Sequence, residues 1–174
     1  MFILNKKNKK NSGITLIETI IYSVILLLVL FAITTTLGSL TSSHREALVN
    51  RLVQSSGSVA MEKMMREIRS AEAVNLGSSS LGVSPGALSL TGINEQTPYS
   101  VSFDLGDGIL QVTKDGGSPG NLTSSATTIT ELIFERLTNS NSEGVRVTLE
   151  IQATVGNKTK TLELTDFAVL RGSY

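Results

Sequence analysis

The sequence predicts an α+β protein: a long N-terminal helix, transmembrane and then amphipathic, packed on a C-terminal antiparallel β-sheet. Three observations carry that expectation. Residues Ile14 to Leu40 are an apolar run of 27 residues with one charge, Glu18. Residues 41–75 repeat apolar side chains at three- and four-residue steps, which is one face of a helix. Residues 76–174 break into short alternating segments separated by Gly, Pro, Asp and Ser, the pattern of strands and turns. The length, 174 residues, suits one domain, yet aromatic residues are 5% and Trp is absent. The 40% of hydrophobic residues must therefore be concentrated, and the N-terminal run is where they are.

Taken in order, residues 1–13 hold Lys6, Lys7, Lys9 and Lys10 and no acid, a local charge of +4. The formal net charge is zero, so the rest of the chain is −4. Ile14 to Leu40 follows. A helix rises ~1.5 Å per residue, so this run is roughly 40 Å long, enough to cross a bilayer. Lysines before it and a polar remainder after it orient the N-terminus to the cytoplasm and residues beyond 40 outside. A cleaved secretory signal has a shorter apolar region and a small-residue cut site, for which Thr34-Thr35-Thr36-Leu37-Gly38 is a poor candidate. A plain single-pass anchor fits the length but gives Glu18 no purpose. An acid at membrane depth costs ~2.5–3.5 kcal/mol on insertion scales, which marks it as a functional candidate.

In residues 41–75 the apolar face is Val49, Leu52, Val53, Ser56, Ala60, Met64, Ile68 and Ala71. Arg45, Asn50, Arg51, Glu62, Lys63, Arg66, Glu67 and Arg69 lie mostly off it, with Glu62–Arg66 and Lys63–Glu67 as opposite-charge i,i+4 pairs. Leu76 to Gly86 reads as a Gly/Ser loop. Strand candidates follow at Ala87–Leu90, Tyr99–Leu105, Ile109–Thr113, Thr128–Leu137 (of ambiguous face), Val145–Val155 and Thr159–Arg171. Gly106-Asp107-Gly108 signals a hairpin. Val145 to Val155 is the cleanest period-2 pattern in the chain, a half-buried strand.

Composition excludes much chemistry. There is no Cys, hence no disulfide, thiolate metal site or Cys nucleophile, and His44 is the single His. The Gly clusters lack the Lys and the strand–helix context of a phosphate loop. A neutral chain with pI near 6.6 gives no reason to expect nucleic-acid binding. No enzyme activity and no cofactor are expected. Asp104, Asp107 and Asp115 flank turns, where Asp is expected for its turn chemistry. They are also the only oxygen-ligand set suggesting calcium; no other metal site is indicated.

One segment is more specific. Ser12-Gly13-Ile14-Thr15-Leu16-Ile17-Glu18, after a basic leader and before about twenty apolar residues, resembles the processing site of type IV prepilins and type II secretion pseudopilins. It agrees at Gly13, Thr15, Leu16, Ile17 and Glu18, and has Ile14 where Phe is commoner. The resemblance covers residues 6–40. It implies that residues 1–13 are a leader removed by prepilin peptidase between Gly13 and Ile14, and that Ile14 is then N-methylated. It implies recognition through Lys9, Lys10, Gly13, Thr15 and Leu16. Glu18 would pair with the N-terminal ammonium of a neighbouring subunit, or of its own, and set axial register. The implied organisation is leader 1–13, transmembrane and filament-core helix 14–40, amphipathic helix 41–75 and globular sheet domain 76–174.

The expected role is thus structural: a minor pilin or pseudopilin of a type IV pilus, type II secretion or competence filament. Implied partners are the peptidase, other pilin or pseudopilin subunits, the inner-membrane assembly machinery and the lipid bilayer. Implied localisation is the cytoplasmic membrane, then the filament. Asp166-Phe167-Ala168-Val169-Leu170-Arg171 at the end of the layout looks more like minor pilins and the J-type pseudopilin than like disulfide-bearing major pilins. Some pseudopilins bind calcium in the globular domain, which bears on the three Asp residues. Many pilins carry a helix-breaking Pro where this chain has Thr34–Gly38, so that stretch is expected to be the soft point that can unwind in a filament. The competing reading is a membrane-anchored extracytoplasmic binding module that never polymerises.

Overall fold

A computed structural model describes residues 14–94, 96–139 and 142–173. The basic leader, with Lys9, Lys10 and Gly13, lies outside the described residues. The elements run α1 (Leu16–Ser70), β1 (Ala73–Val74), β2 (Leu88–Asn94), β3 (Thr97–Gly106), β4 (Ile109–Lys114), β5 (Gly120–Asn121), β6 (Thr127–Asn139), β7 (Ser142–Val155) and β8 (Lys158–Val169). The chain divides into two compact units at Ser43/His44.

In the first unit α1 is helix from Leu16 onward, with its large apolar side chains exposed from Ile14 to Leu40. By length and composition it is apolar enough to cross a membrane. The helix is continuous through Gly38. The hydroxyls of Thr34, Thr35 and Thr36 donate to carbonyls three or four residues earlier, at 2.8–3.1 Å. Such back-bonding keeps the polar atoms satisfied inside an apolar helix while slightly weakening it. In the single chain the stretch is unbroken helix.

In the second unit the C-terminal part of α1 buries Val49, Val53, Ala60, Met64 and Ile68, as the periodicity predicts. Gly57 is buried with them, because a Cβ there would come within 2.8 Å of a Leu164 methyl. The missing side chain lets helix and β8 approach closely. The helix stops at Ser70, short of the predicted 75. Its backbone groups find sheet partners instead: the Tyr99 hydroxyl donates to the Ser70 carbonyl at 3.0 Å, Arg171 N–H to Ala71 C=O, and Glu72 N–H to Thr91 C=O. Residues 73–74 then pair with β2.

The strands form two antiparallel sheets, where one was expected, in orders β1-β2-β3-β4-β5 and β6-β7-β8. The first ladder dies out at β5, two residues long, next to Pro119, which has no N–H to donate. Across the gap, the edge of β6 is occupied by loop backbone: Gly82 and Gly86 N–H donate to Phe134 and Leu132 C=O. Both sheets and the helix share one core, with Phe103 and Phe134 its fully buried aromatics. Each such side chain contributes ~1.5–3 kcal/mol through burial.

β6 explains why its face was ambiguous. Ile129 pairs with Ile151, then Glu131 with Glu150 and Leu132 with Leu149, so Thr130 is an extra residue. The bulge shifts phase by one and brings Ile129, Leu132 and Phe134 to the same buried face. Alternation in the sequence breaks at that residue.

Candidate functional site

The described part of the predicted site begins at Ile14, 70% exposed. Thr15 caps the helix: Glu18 N–H donates to the Thr15 carbonyl at 3.0 Å and, more weakly, to its Oγ1 at 3.4 Å. This is the geometry expected of a Thr three residues ahead of a Glu at a helix start. Glu18 is half-buried while its neighbours are exposed. Its carboxylate accepts a hydrogen bond from the Tyr22 hydroxyl at 3.0 Å. Tyr22 was not singled out from the sequence; the signal available was its i+4 spacing from the single acid of the run. Among the described residues, no cation contacts Glu18.

The calcium candidates are not brought together. Asp107 and Gly108 form the two-residue turn between β3 and β4, with φ of 53° and 75°. These values fit a type I′ hairpin, which demands residues tolerant of positive φ. Asp115 lies beyond the opposite end of that hairpin, roughly 20 Å away at ~3.3 Å per residue. It has φ of 51° and accepts Ser100 N–H at 2.7 Å. Asp104 sits within β3, with Oδ1 buried and accepting no hydrogen bond among the described residues. No group of three or more His, Asp or Glu among the described residues is placed to share an ion.

A polar cleft of about 340 Å³ lies at the end of α1, lined by Glu67, Ser70, Ile93, Tyr99, Lys114 and Arg171 among others. Sequence reasoning placed Glu67 mostly off the buried face, yet it is 8% exposed. Two lysines make that burial tolerable. Lys63 Nζ lies 2.6 Å and Lys114 Nζ 2.9 Å from Glu67 Oε1. Burial pushes the Glu67 carboxyl up, but hydrogen bonds from Lys63 and Lys114 and their charges outweigh it and hold the group below its ordinary value. Lys114 is correspondingly raised, chiefly by its hydrogen bond to Glu67. Lys63–Glu67 was legible as an i,i+4 pair; Lys114, from β4, was not. The pairing ties helix to hairpin and has the form of a structural ion pair.

No protein-family model matches the chain, and neither a characterised protein nor a solved structure is significantly similar to it.

Proposed function

We propose that this chain is a filament subunit of the pilin or pseudopilin kind, made as a precursor and cut between Gly13 and Ile14. The observation that carries the reading is the layout around the cut. A capped helix starts at Leu16, and an uninterrupted apolar helix with exposed side chains follows. Glu18 alone carries charge in it, without a cationic partner among the described residues. A carboxylate in apolar surroundings needs a compensating charge or hydrogen bonds. A new ammonium on Ile14 of an adjacent copy supplies that charge. Attraction between the two is strong where water is excluded, and their meeting fixes the stagger between helices. Cleavage also removes the four lysines that hold the precursor's N-terminus on the cytoplasmic side. In this reading the apolar helix packs first in lipid and then against other subunits, while residues beyond 43 lie outside.

Mass spectrometry of the mature N-terminus tests the processing step. Loss of residues 1–13 with a methyl on Ile14 supports it; an intact Met1 in assembled material sinks it. Glu18→Ala separates a subunit from a solitary anchor. The variant still enters the membrane in both cases, but incorporation is lost only if the chain polymerises.

A further inference from the structure

We propose that Tyr22 is a positioning residue for Glu18: its hydroxyl holds Oε1 so that Oε2 is presented to an ammonium from another chain. The inference rests on the assembly reading above and adds a residue to it. Helical side chains lean toward the N-terminus, so Tyr22 reaches back over the turn that carries Glu18. The two are one turn apart and in contact at 3.0 Å. The carboxylate is thus tied to a residue one turn further along the helix. Thr15 already serves the Glu18 N–H, so the carboxylate is not needed to close the helix start.

The hydroxyls nearby behave differently. Thr19 and Ser23 donate to carbonyls of their own helix, Leu16 and Thr19. Among the described residues, Tyr22 alone spends its hydroxyl on the acid. A phenol suits this position because its ring is at home in apolar surroundings while its O–H still finds an acceptor. Before assembly the hydrogen bond partly satisfies a carboxylate that has no counter-charge among the described residues. After assembly it restricts the acid to one rotamer, which lowers the ordering cost of forming the ion pair.

The test uses the full-length chain in cells that assemble it, with Tyr22→Phe, Glu18→Ala and the control Ser23→Ala. Two quantities are read: incorporation into filaments relative to membrane level, and the ¹³C signal of a labelled Glu18 carboxyl in bilayers. Tyr22→Phe should lower incorporation by roughly tenfold, the scale of one hydrogen bond to a charged group. Processing and membrane level should be unchanged, and the carboxyl signal should shift. Ser23→Ala should change neither readout. Absence of the wild-type chain from filaments sinks the assembly reading; wild-type incorporation by Glu18→Ala removes the register role of Glu18 and this inference with it. Loss with Glu18→Ala but wild-type incorporation by Tyr22→Phe overturns the Tyr22 role alone. Reduced incorporation with an unmoved carboxyl signal also overturns it, since the ring would then act by packing.

Discussion

Replacing Glu67 with Gln is the sharpest probe of how the second unit holds together. The substitution keeps size and hydrogen-bonding capacity but removes the charge, leaving Lys63 and Lys114 facing a neutral amide. Breaking a fully buried ion pair costs 3–5 kcal/mol, whereas an exposed pair is worth at most about 1. This site lies between the limits: the Glu67 side chain is 10% exposed, Lys63 28% and Lys114 53%. The lysines recover much of their hydration when the acid is lost, so the expected cost is about 1–2 kcal/mol. The assay is the urea midpoint of the full chain in detergent, followed by Tyr fluorescence, which the absence of Trp leaves unobscured.

The pH dependence of that cost fixes its origin. Glu67 titrates below its ordinary value in the folded protein. A depressed acid contributes stability above its unfolded pKa, about 4.3, and loses it as pH falls through the folded value. Wild type should therefore exceed Glu67→Gln near pH 7, and the gap should narrow only as pH falls below the unfolded value and close once it has passed the depressed folded one. Lys114 is raised, so its share is complete below its unfolded pKa, about 10.4, and fades only as pH climbs past that value. A gap under ~0.3 kcal/mol at pH 7, or one that persists undiminished in acid, would refute the ionic account and leave packing as the reason Glu67 is buried.

Other outcomes follow from local geometry. Deleting Thr130 removes the bulge residue and leaves Ile129, Glu131 and Leu132 opposite Ile151, Glu150 and Leu149 in regular alternation, with Leu132 and Phe134 still on the buried face; limited proteolysis should find the second unit folded. Glu131, Glu150 and Glu163 stand directly abreast on β6, β7 and β8. Like charges opposed in this way cost ~0.2–1 kcal/mol per pair, so Glu150→Thr should raise the urea midpoint. Asp107→Ala, at a φ of 53°, should cost about 1 kcal/mol in the same assay, while Asp107→Gly should be near neutral.

The two halves of the molecule were unequally legible in the sequence. Periodicity placed Val49, Val53, Ala60, Met64 and Ile68 on the buried face, because a helix stripe is a local signal that tertiary context seldom moves. Alternation likewise placed Val145 to Ala153, and Asp107-Gly108 announced its turn. What failed was non-local. The end of α1 at Ser70 is decided by Tyr99 and Arg171, residues about thirty and a hundred positions away, whose groups take the helix's last carbonyls. The division into two sheets depends on the 82–86 loop lying along β6, which no pattern within either segment encodes. Glu67 was placed mostly off the buried face because its second lysine, Lys114, arrives from β4. At the helix start, Glu18 was conspicuous as a lone acid, but Tyr22 passed for one more apolar residue.

Glu18 and Glu67 are acids on one helix, and the contrast between them bears on function. Glu67 is neutralised within its own chain: two lysines meet one of its oxygens, and the arrangement locks helix to hairpin. Glu18 has a phenol and no cation among the described residues. A single neutral hydrogen bond offsets only part of the cost of taking a carboxylate out of water. Among the described residues of the first unit nothing offsets the remaining electrostatic debt at Glu18. A solitary anchor gains nothing from that debt, because an apolar residue at position 18 would insert more favourably. A subunit gains a register mark, since a second helix carrying an ammonium is stabilised at one axial offset and not at others. In the proposed filament reading, the acid serves because it is incompletely satisfied alone, and Tyr22 orients it for the partner.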